Sequence, residues 1–473
     1  MRLSTDIHKS KPGFDSTYSR TPFRSQQWLL RHSGSHFLWA GLALSAYLTG
    51  TTFGVAWATI SVIVGGVSLL FGITIFLTHG DRRITVLGLM TLAFGMFVGL
   101  SGVVEGLQHQ FPGDQRFVTQ AVMAGTLGQI AVAHMAWRYA IEDEPELPGA
   151  APRSSAQKLT RIAVGILALL WLLQLAGVGL ASSGYADGAA FTCVTLIAVG
   201  ILLRDSDAGL LGRVIPIAVG FGFYTTFFHQ GTGRLRIVAL ACALALLVSY
   251  RFPLRRLKWS VIACLPLALV WLAHERRSLQ ESLSAGSSEG RTGLESMFSP
   301  IRTFARVIEA TATGEHPPAL GAPFLSVPFS LVPESWQPDW TPGAIGYELV
   351  LLESPSRYGS GFSVASTSFG EWFYSFAALG VVLSVPFLAA VCVLLDRSLR
   401  RSMDNIAASP LGMLKVAFWA MLAGGLGDLA WGGVHTWIAR LVMRMPILLL
   451  MIPLTWRPAE MQRTSSSAST LQR

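Results

Sequence analysis

The chain has 473 residues, of which 51% are hydrophobic and 13% charged, with a formal net charge of +9. That charged share is roughly half the usual one for a soluble domain, which excludes a string of soluble domains. The net positive charge does not point to nucleic acid either, because most of the cations sit at the ends of apolar runs, where they meet anionic headgroups and fix topology.

Apolar runs of about 20 residues, each long enough to cross a hydrocarbon core as a helix, recur from His36 to Trp456. The short alternating strands of a membrane barrel are not visible. The expected fold class is therefore an all-α integral membrane protein with about twelve transmembrane helices. Residues 1–35 form a basic tail (Arg2, Lys9, Lys11, Arg20, Arg24, Arg31) with no apolar segment followed by a small-residue cleavage site, so no removable signal peptide is expected.

Nine spans are expected over 36–273, at 36–53, 56–77, 84–104, 117–138, 161–181, 186–203, 211–228, 235–250 and 258–273. With the N-terminus inside, the inner connections are cationic (Arg82 and Arg83; Arg255, Arg256 and Lys258; Arg397 to Arg401). The short outer turns near Thr51 and Ser182 are nearly free of cations, the bias that orients a multi-pass protein. Cys193, Cys242, Cys264 and Cys392 all lie within apolar runs and read as small core residues.

One outer turn breaks the pattern. His229 to Arg236 carries Arg234 and Arg236, the latter opening an apolar span. An ionisable group at the lip of the bilayer is a functional candidate by default; the plainer reading is snorkelling into outer headgroups.

Residues 274–370 then form a large outer loop between spans 9 and 10. Within it Leu294, Met297, Phe298, Ile301, Phe304 and Ile308 recur at helical spacing, opposite Arg302, Arg306 and Glu309. This is an amphipathic helix, expected on the membrane surface or over a cavity. The Pro- and aromatic-rich stretch from Pro323 to Trp340 suits a rigid cover; the plainer alternative for the whole loop is a solvated spacer.

Three spans complete the chain, at 371–395, 411–432 and 434–456, before a Ser-rich cytoplasmic tail at 457–473. In the last hairpin Asp428 and Arg440 lie at similar distances from a turn near Gly433, so an antiparallel pair brings them into an ion pair, with Arg444 one helical turn deeper. That pair is structural on the simpler reading; on the other, Arg440 lines a phosphate pocket.

The run from Gly361 to Gly380 is a Ser/Thr-rich turn leading into Gly370-Glu371, aromatics and a later glycine. It resembles the stretch that closes the large periplasmic loop of O-antigen and related repeat-unit polymerases, within the O-antigen ligase-like membrane glycosyltransferase superfamily. Pro333 to Pro338 resembles the Pro-Trp-Pro neighbourhood of that loop, and His229 to Arg236 its Gly-Arg turn. The resemblance covers roughly residues 220–395. An Arg-rich loop motif of the family's spacing is missing; Arg357 is the nearest match, and His316 matches the ligase histidine poorly.

The resemblance implies a multi-pass protein of the bacterial inner membrane that polymerises undecaprenyl-diphosphate-linked oligosaccharide repeat units on the periplasmic face. A sugar hydroxyl attacks an anomeric carbon and a lipid diphosphate leaves. Arginine suits the departing diphosphate through its bidentate fork, which nominates Arg234, Arg236, Arg357 and Arg440. A carboxylate or imidazole takes the hydroxyl proton, which nominates Glu371 first and His229 and His435 behind it. The competing role of Glu371 is a helix cap. No cofactor is expected, and no His/Cys/Asp cluster at metal-ligand spacing is present in the sequence. Expected partners are the lipid-linked oligosaccharide, the bilayer and a chain-length-determining co-polymerase.

Two other functions compete with this one. A ligase-type glycan transferase shares the loop. A lipid-linked oligosaccharide flippase has as many spans, but short loops and inverted repeats that this sequence lacks. Polyprenyl-phosphate-sugar transferases with paired acids in the first outer turn are disfavoured, because Thr49 to Gly54 has no acid.

Overall fold

The computed structural model describes residues 23–109, 111–139, 151, 153–178, 184–204, 209–229, 235–283, 295–329, 332, 336–359, 363–406 and 411–455. Their regular elements are helices: α1 (Phe23–Thr52), α2 (Trp57–Thr78), α3 (Val86–Phe94), α4 (Ser101–Gln108), α5 (Gln115–Tyr139), α6 (Arg153–Leu175), α7 (Gly184–Leu202), α8 (Leu210–Phe227) and α9 (Leu235–Arg251). There follow α10 (Arg255–Leu283), α11 (Glu295–Ala312), α12 (Ala322–Phe329), α13 (Ile345–Glu353), α14 (Thr367–Phe376), α15 (Ala378–Asp404), α16 (Gly412–Gly424) and α17 (Leu426–Thr455). A six-residue π stretch, Gly95–Leu100, joins α3 to α4 as one crossing.

Seven helical segments are long and apolar enough to cross a membrane: Trp57–Thr78, Val86–Gln108, Arg153–Leu175, Gly184–Leu202, Leu210–Phe227, Ala378–Asp404 and Leu426–Leu454. A helical multi-pass membrane protein follows. The other crossings expected from the sequence fall on α1, α5, α9, α10 and α16. Of these, α9 has 17 residues and α16 has 13, while α5 carries Gln129, His134 and Arg138. Buried polar groups tie the bundle together: the Ser68 hydroxyl donates to Gln129 at 2.6 Å, and the Gln129 amide donates to the Thr91 carbonyl at 2.8 Å, joining α2, α3 and α5. With no water inside a bilayer, such groups must find each other.

The expected span 371–395 is corrected. Ala377 has φ +52, which ends α14 and starts α15 in a new direction. The rings of Trp372 and Phe387 lie 5.5 Å apart, whereas in one straight helix a 15-residue separation spans about 22 Å. So α14 folds back along α15, and the crossing starts at Ala378. The two backbones approach so closely that a side chain at Gly380 would overlap the Trp372 carbonyl.

The expected turn near Gly433 is present as a break inside α17, with Gly433 at φ 81 and ψ −170. Asp428 and Arg440 touch across it, although 12 residues of straight helix extend about 18 Å. The Trp437 indole N–H donates to the Leu422 carbonyl at 3.2 Å, fastening the returning arm to α16.

Helix α11 is the amphipathic helix of the loop. Its apolar side chains Phe298, Ile301, Phe304 and Ile308 are buried, with Phe304 against Phe373 of α14 at a ring distance of 5.7 Å. Hence it packs on the helices rather than lying free on a membrane surface. On its other side the Arg302 Nε donates to buried Glu105 of α4 at 2.9 Å.

Candidate functional site

Helices α7, α8, α9 and the returning arm of α17 bring charged side chains to one place. Arg236, on the first turn of α9, pairs with Asp187 on the first turn of α7. The Tyr224 hydroxyl of α8 donates to the other Asp187 oxygen at 2.5 Å. From α17, Arg440 pairs with Asp428, while Arg444 lies 3.6 Å from the same carboxylate. The Arg444 guanidinium sits 3.9 Å from the centre of the Phe191 ring, a cation–π contact. Arg444 is only 3% exposed and its Nη2 has no hydrogen-bond partner.

Arg236, Arg440, Arg444 and Asp187 line a single pocket with Phe191 and Met443. The free space among them is about 10 Å³, about that of one water position. Three guanidinium groups thus meet two carboxylates, Asp187 and Asp428, of which Asp187 lines the pocket. Charges withdrawn from water are costly unless they face each other or a ligand, and among the described residues the cations of this cluster exceed its anions by one. The arrangement can take a further anion.

Glu371 is fully buried beside a different feature. Its two oxygens accept the Val434 N–H at 2.7 Å and the His435 N–H at 3.4 Å. These are the first amides of the arm that leaves Gly433, so Glu371 caps that arm, an anion on the positive end of a helix. The competing role anticipated for Glu371 was a cap of its own helix; it caps a neighbouring one instead. A Cβ on Gly433 would collide with the Glu371 carboxylate. Close by, the Ser368 hydroxyl donates to the Leu429 carbonyl, so both arms of α17 are held by α14.

The structure therefore separates the expected residues into groups. Arg236 and Arg440 come together, and Glu371 and His435 come together at the Gly433 turn. Arg357 lies on a short 3-10 turn, Pro355–Arg357, with its side chain exposed, and is not part of the arginine pocket. His229 follows the end of α8, its amide donating to the Tyr224 carbonyl at 3.2 Å. Arg234 lies outside the described residues, as do residues 333–335 and 360–362 of the two loop motifs. His316 packs edge-on to Tyr374 at 4.5 Å.

Sequence reasoning missed Asp187 and Tyr224. The signal for Asp187 was present: like Arg236, it is an ionisable residue at the first turn of an apolar span. Tyr224 carries no such signal, since an aromatic near a span end is ordinary.

A second polar junction binds the loop. Beside the Arg302–Glu105 pair, the Thr303 hydroxyl donates to Glu353 of α13 at 2.6 Å. Loss of water on burial pushes the Glu353 carboxyl above its ordinary range, against the pull of the Thr303 hydrogen bond and of Arg302. Arg306 pairs with Glu309 at 3.0 Å and with Glu315 at 2.8 Å.

No protein-family model, no curated protein and no solved structure matches this chain.

Proposed function

We propose that this protein is a polymerase of lipid-diphosphate-linked oligosaccharide repeat units, working on the outer face of the bacterial inner membrane with both termini inside. The observation that carries the reading is the excess of arginine: buried Arg444 and half-buried Arg236 and Arg440 against Asp187 and Asp428. A polyprenyl diphosphate reaches its protein from within the bilayer, and its phosphates need fixed cations at membrane depth. Guanidinium groups meet two phosphate oxygens at once and keep their charge when desolvated.

In the step we infer, the acceptor hydroxyl oxygen forms a bond to the anomeric carbon of the growing chain. The bond from that carbon to the diphosphate oxygen breaks, and its electron pair leaves on the diphosphate. The developing charge falls on the arginines. The hydroxyl proton passes to a base, for which His435 is better suited than Glu371, because both Glu371 oxygens already accept backbone amides. Glu371 is then a positioning residue. It fixes the turn from which Arg440 and Arg444 project.

A flippase also needs a diphosphate site. The folded loop favours a transferase: α11 is packed onto the bundle by buried side chains and α13 onto α11 and Tyr374 of α14, as a cover over an acceptor site requires. Deleting the gene and sizing the surface or secreted glycan tests this. The expected result is collapse of the glycan ladder to a single repeat unit. Ladders retained on the lipid carrier with none on the final acceptor mean a ligase. Loss of all outward-facing repeat units means a flippase.

A further inference from the structure

At the end of α7 away from Asp187, the structure holds a second cationic cavity that the proposed reaction does not use. It has a volume of about 360 Å³ and lies between the starts of α6 and α8 and the end of α7. Arg161 from α6, Arg204 just beyond α7 and Arg213 from α8 all line it, together with Gln157 and Thr160. Among the described residues no carboxylate lines it.

Arg213 is 3% exposed and donates to the Leu202 carbonyl at 2.6 Å. The Arg204 Nε is buried with no hydrogen-bond partner. The first turn of α8 contains no acidic residue, and Gly209 before it offers no capping side chain, so the positive end of that helix adds to the arginines. A topology signal asks only for cations on one side of the membrane. It does not ask for a guanidinium withdrawn from water beside an open cavity.

We propose that this cavity binds a phosphate group, supplied by the headgroup of an anionic phospholipid. The source follows from the walls. The helices α6 and α8 are the least buried of the long apolar segments, with Leu169, Leu172, Leu211 and Ile215 exposed on them. A cavity between two bilayer-facing helices opens at the level of lipid headgroups. Its occupant keeps its acyl chains along α6 and α8 while its phosphate meets Arg161, Arg204 and Arg213.

Thermal unfolding of the full-length protein in detergent tests this, with added short-chain phosphatidylglycerol, short-chain phosphatidylcholine or inorganic phosphate. Phosphatidylglycerol is expected to raise the midpoint in a saturable way and phosphatidylcholine to act much more weakly. Arg204→Gln and Arg161→Gln, both on half-exposed or exposed side chains and so compatible with folding, are each expected to weaken the response about fivefold, the loss of one cation near a headgroup. Equal responses to the two lipids, or variants that respond like the parent, overturn the proposal. A full response to inorganic phosphate alone, lost in the same variants, upholds the phosphate site and overturns the lipid as its source. None of these outcomes bears on polymerisation, so this inference and the proposed function fail separately.

Discussion

Arginine is used in opposite ways in the pocket at α7 and in the loop junction at α11. In the loop, Arg302 and Arg306 meet three carboxylates, Glu105, Glu309 and Glu315, and the cations are consumed by the protein's own acids. In the pocket, Arg236, Arg440 and Arg444 meet two, Asp187 and Asp428. The first arrangement is complete as it stands and fastens a helix to a bundle. The second leaves one cation over among the described residues, which on the proposed function is what the diphosphate meets. The ratio of opposite charges in a buried cluster thus separates a clamp from a receptor more sharply than the number of ion pairs does.

The comparison breaks if removing an arginine has the same consequence in both places. Arg302→Ala leaves Glu105, 1% exposed, without the cation it is bonded to, and the expected cost is about 3–5 kcal/mol of stability. The measurement is the amount of folded protein in detergent extracts by fluorescence-detected size exclusion. Arg236→Ala leaves Asp187 with the Tyr224 hydroxyl and with two further arginines lining the same pocket. Protein level is expected to hold while polymerisation falls about 10²–10³-fold, with Arg236→Lys recovering part of it because a single ammonium cannot span two phosphate oxygens. A ladder of normal length in Arg236→Ala assigns that residue to the bilayer surface.

Next in size is the turn that aims the α17 arginines. Gly433→Ala places a methyl against the Glu371 carboxylate on a backbone with φ 81, and a loss of about 1–3 kcal/mol in thermal stability is expected. Glu371→Gln keeps one oxygen for the Val434 amide but removes the charge at the helix end, at a cost of about 1 kcal/mol. As a positioning residue it lowers activity without changing the pH profile of polymerisation. A profile whose acidic limb disappears in Glu371→Gln makes Glu371 the base.

The smallest effect sharpens the loop side. The Glu353 carboxyl lies above the reference value of 4.5, mainly through burial. A carboxyl raised in the folded state binds its proton more tightly there, so its contribution is fully present below the unfolded value and is lost as pH rises through the folded one. The loop is therefore expected to be held slightly more firmly in mildly acidic than in alkaline buffer. Comparing protease protection of the loop across pH in the parent and in Glu353→Gln isolates this group, and the variant is expected to show the shallower dependence.

Much of this organisation is written in simple spacings. Asp428 and Arg440 flank Gly433 nearly symmetrically, and any antiparallel turn there brings them together, which is why the pair is legible without a structure. The buried face of α11 follows the 3.6-residue period of Phe298, Ile301, Phe304 and Ile308. The fold-back of α14 is not legible, because its hinge is Ala377 at φ +52. A glycine would advertise that conformation, and alanine does not. The partner of Arg236 comes from 49 residues earlier in the chain, and no local pattern encodes such a long-range meeting. The role of Glu371 was hidden for the same reason: the amides it caps belong to residues more than 60 positions later.

The fold-back of α14 has a consequence for how the chain is made. A ribosome delivers residues in order, and several of the groups that hold α14, the Leu429 carbonyl and the Val434 and His435 amides, belong to the last described helix. When Thr367–Phe376 first clears the insertion machinery, Phe94 of α3 is there to meet Phe369, but the α17 side of its docking site does not yet exist. The loop cover can already reach Glu105 of α4 through Arg302, but the part of it that rests on Phe373 through Phe304 must wait until the C-terminal hairpin has threaded the bilayer. Quality control acting on this protein therefore meets an extended window in which an apolar, unseated segment is accessible. A stop codon placed after Phe376 and before Leu426 leaves that window permanently open.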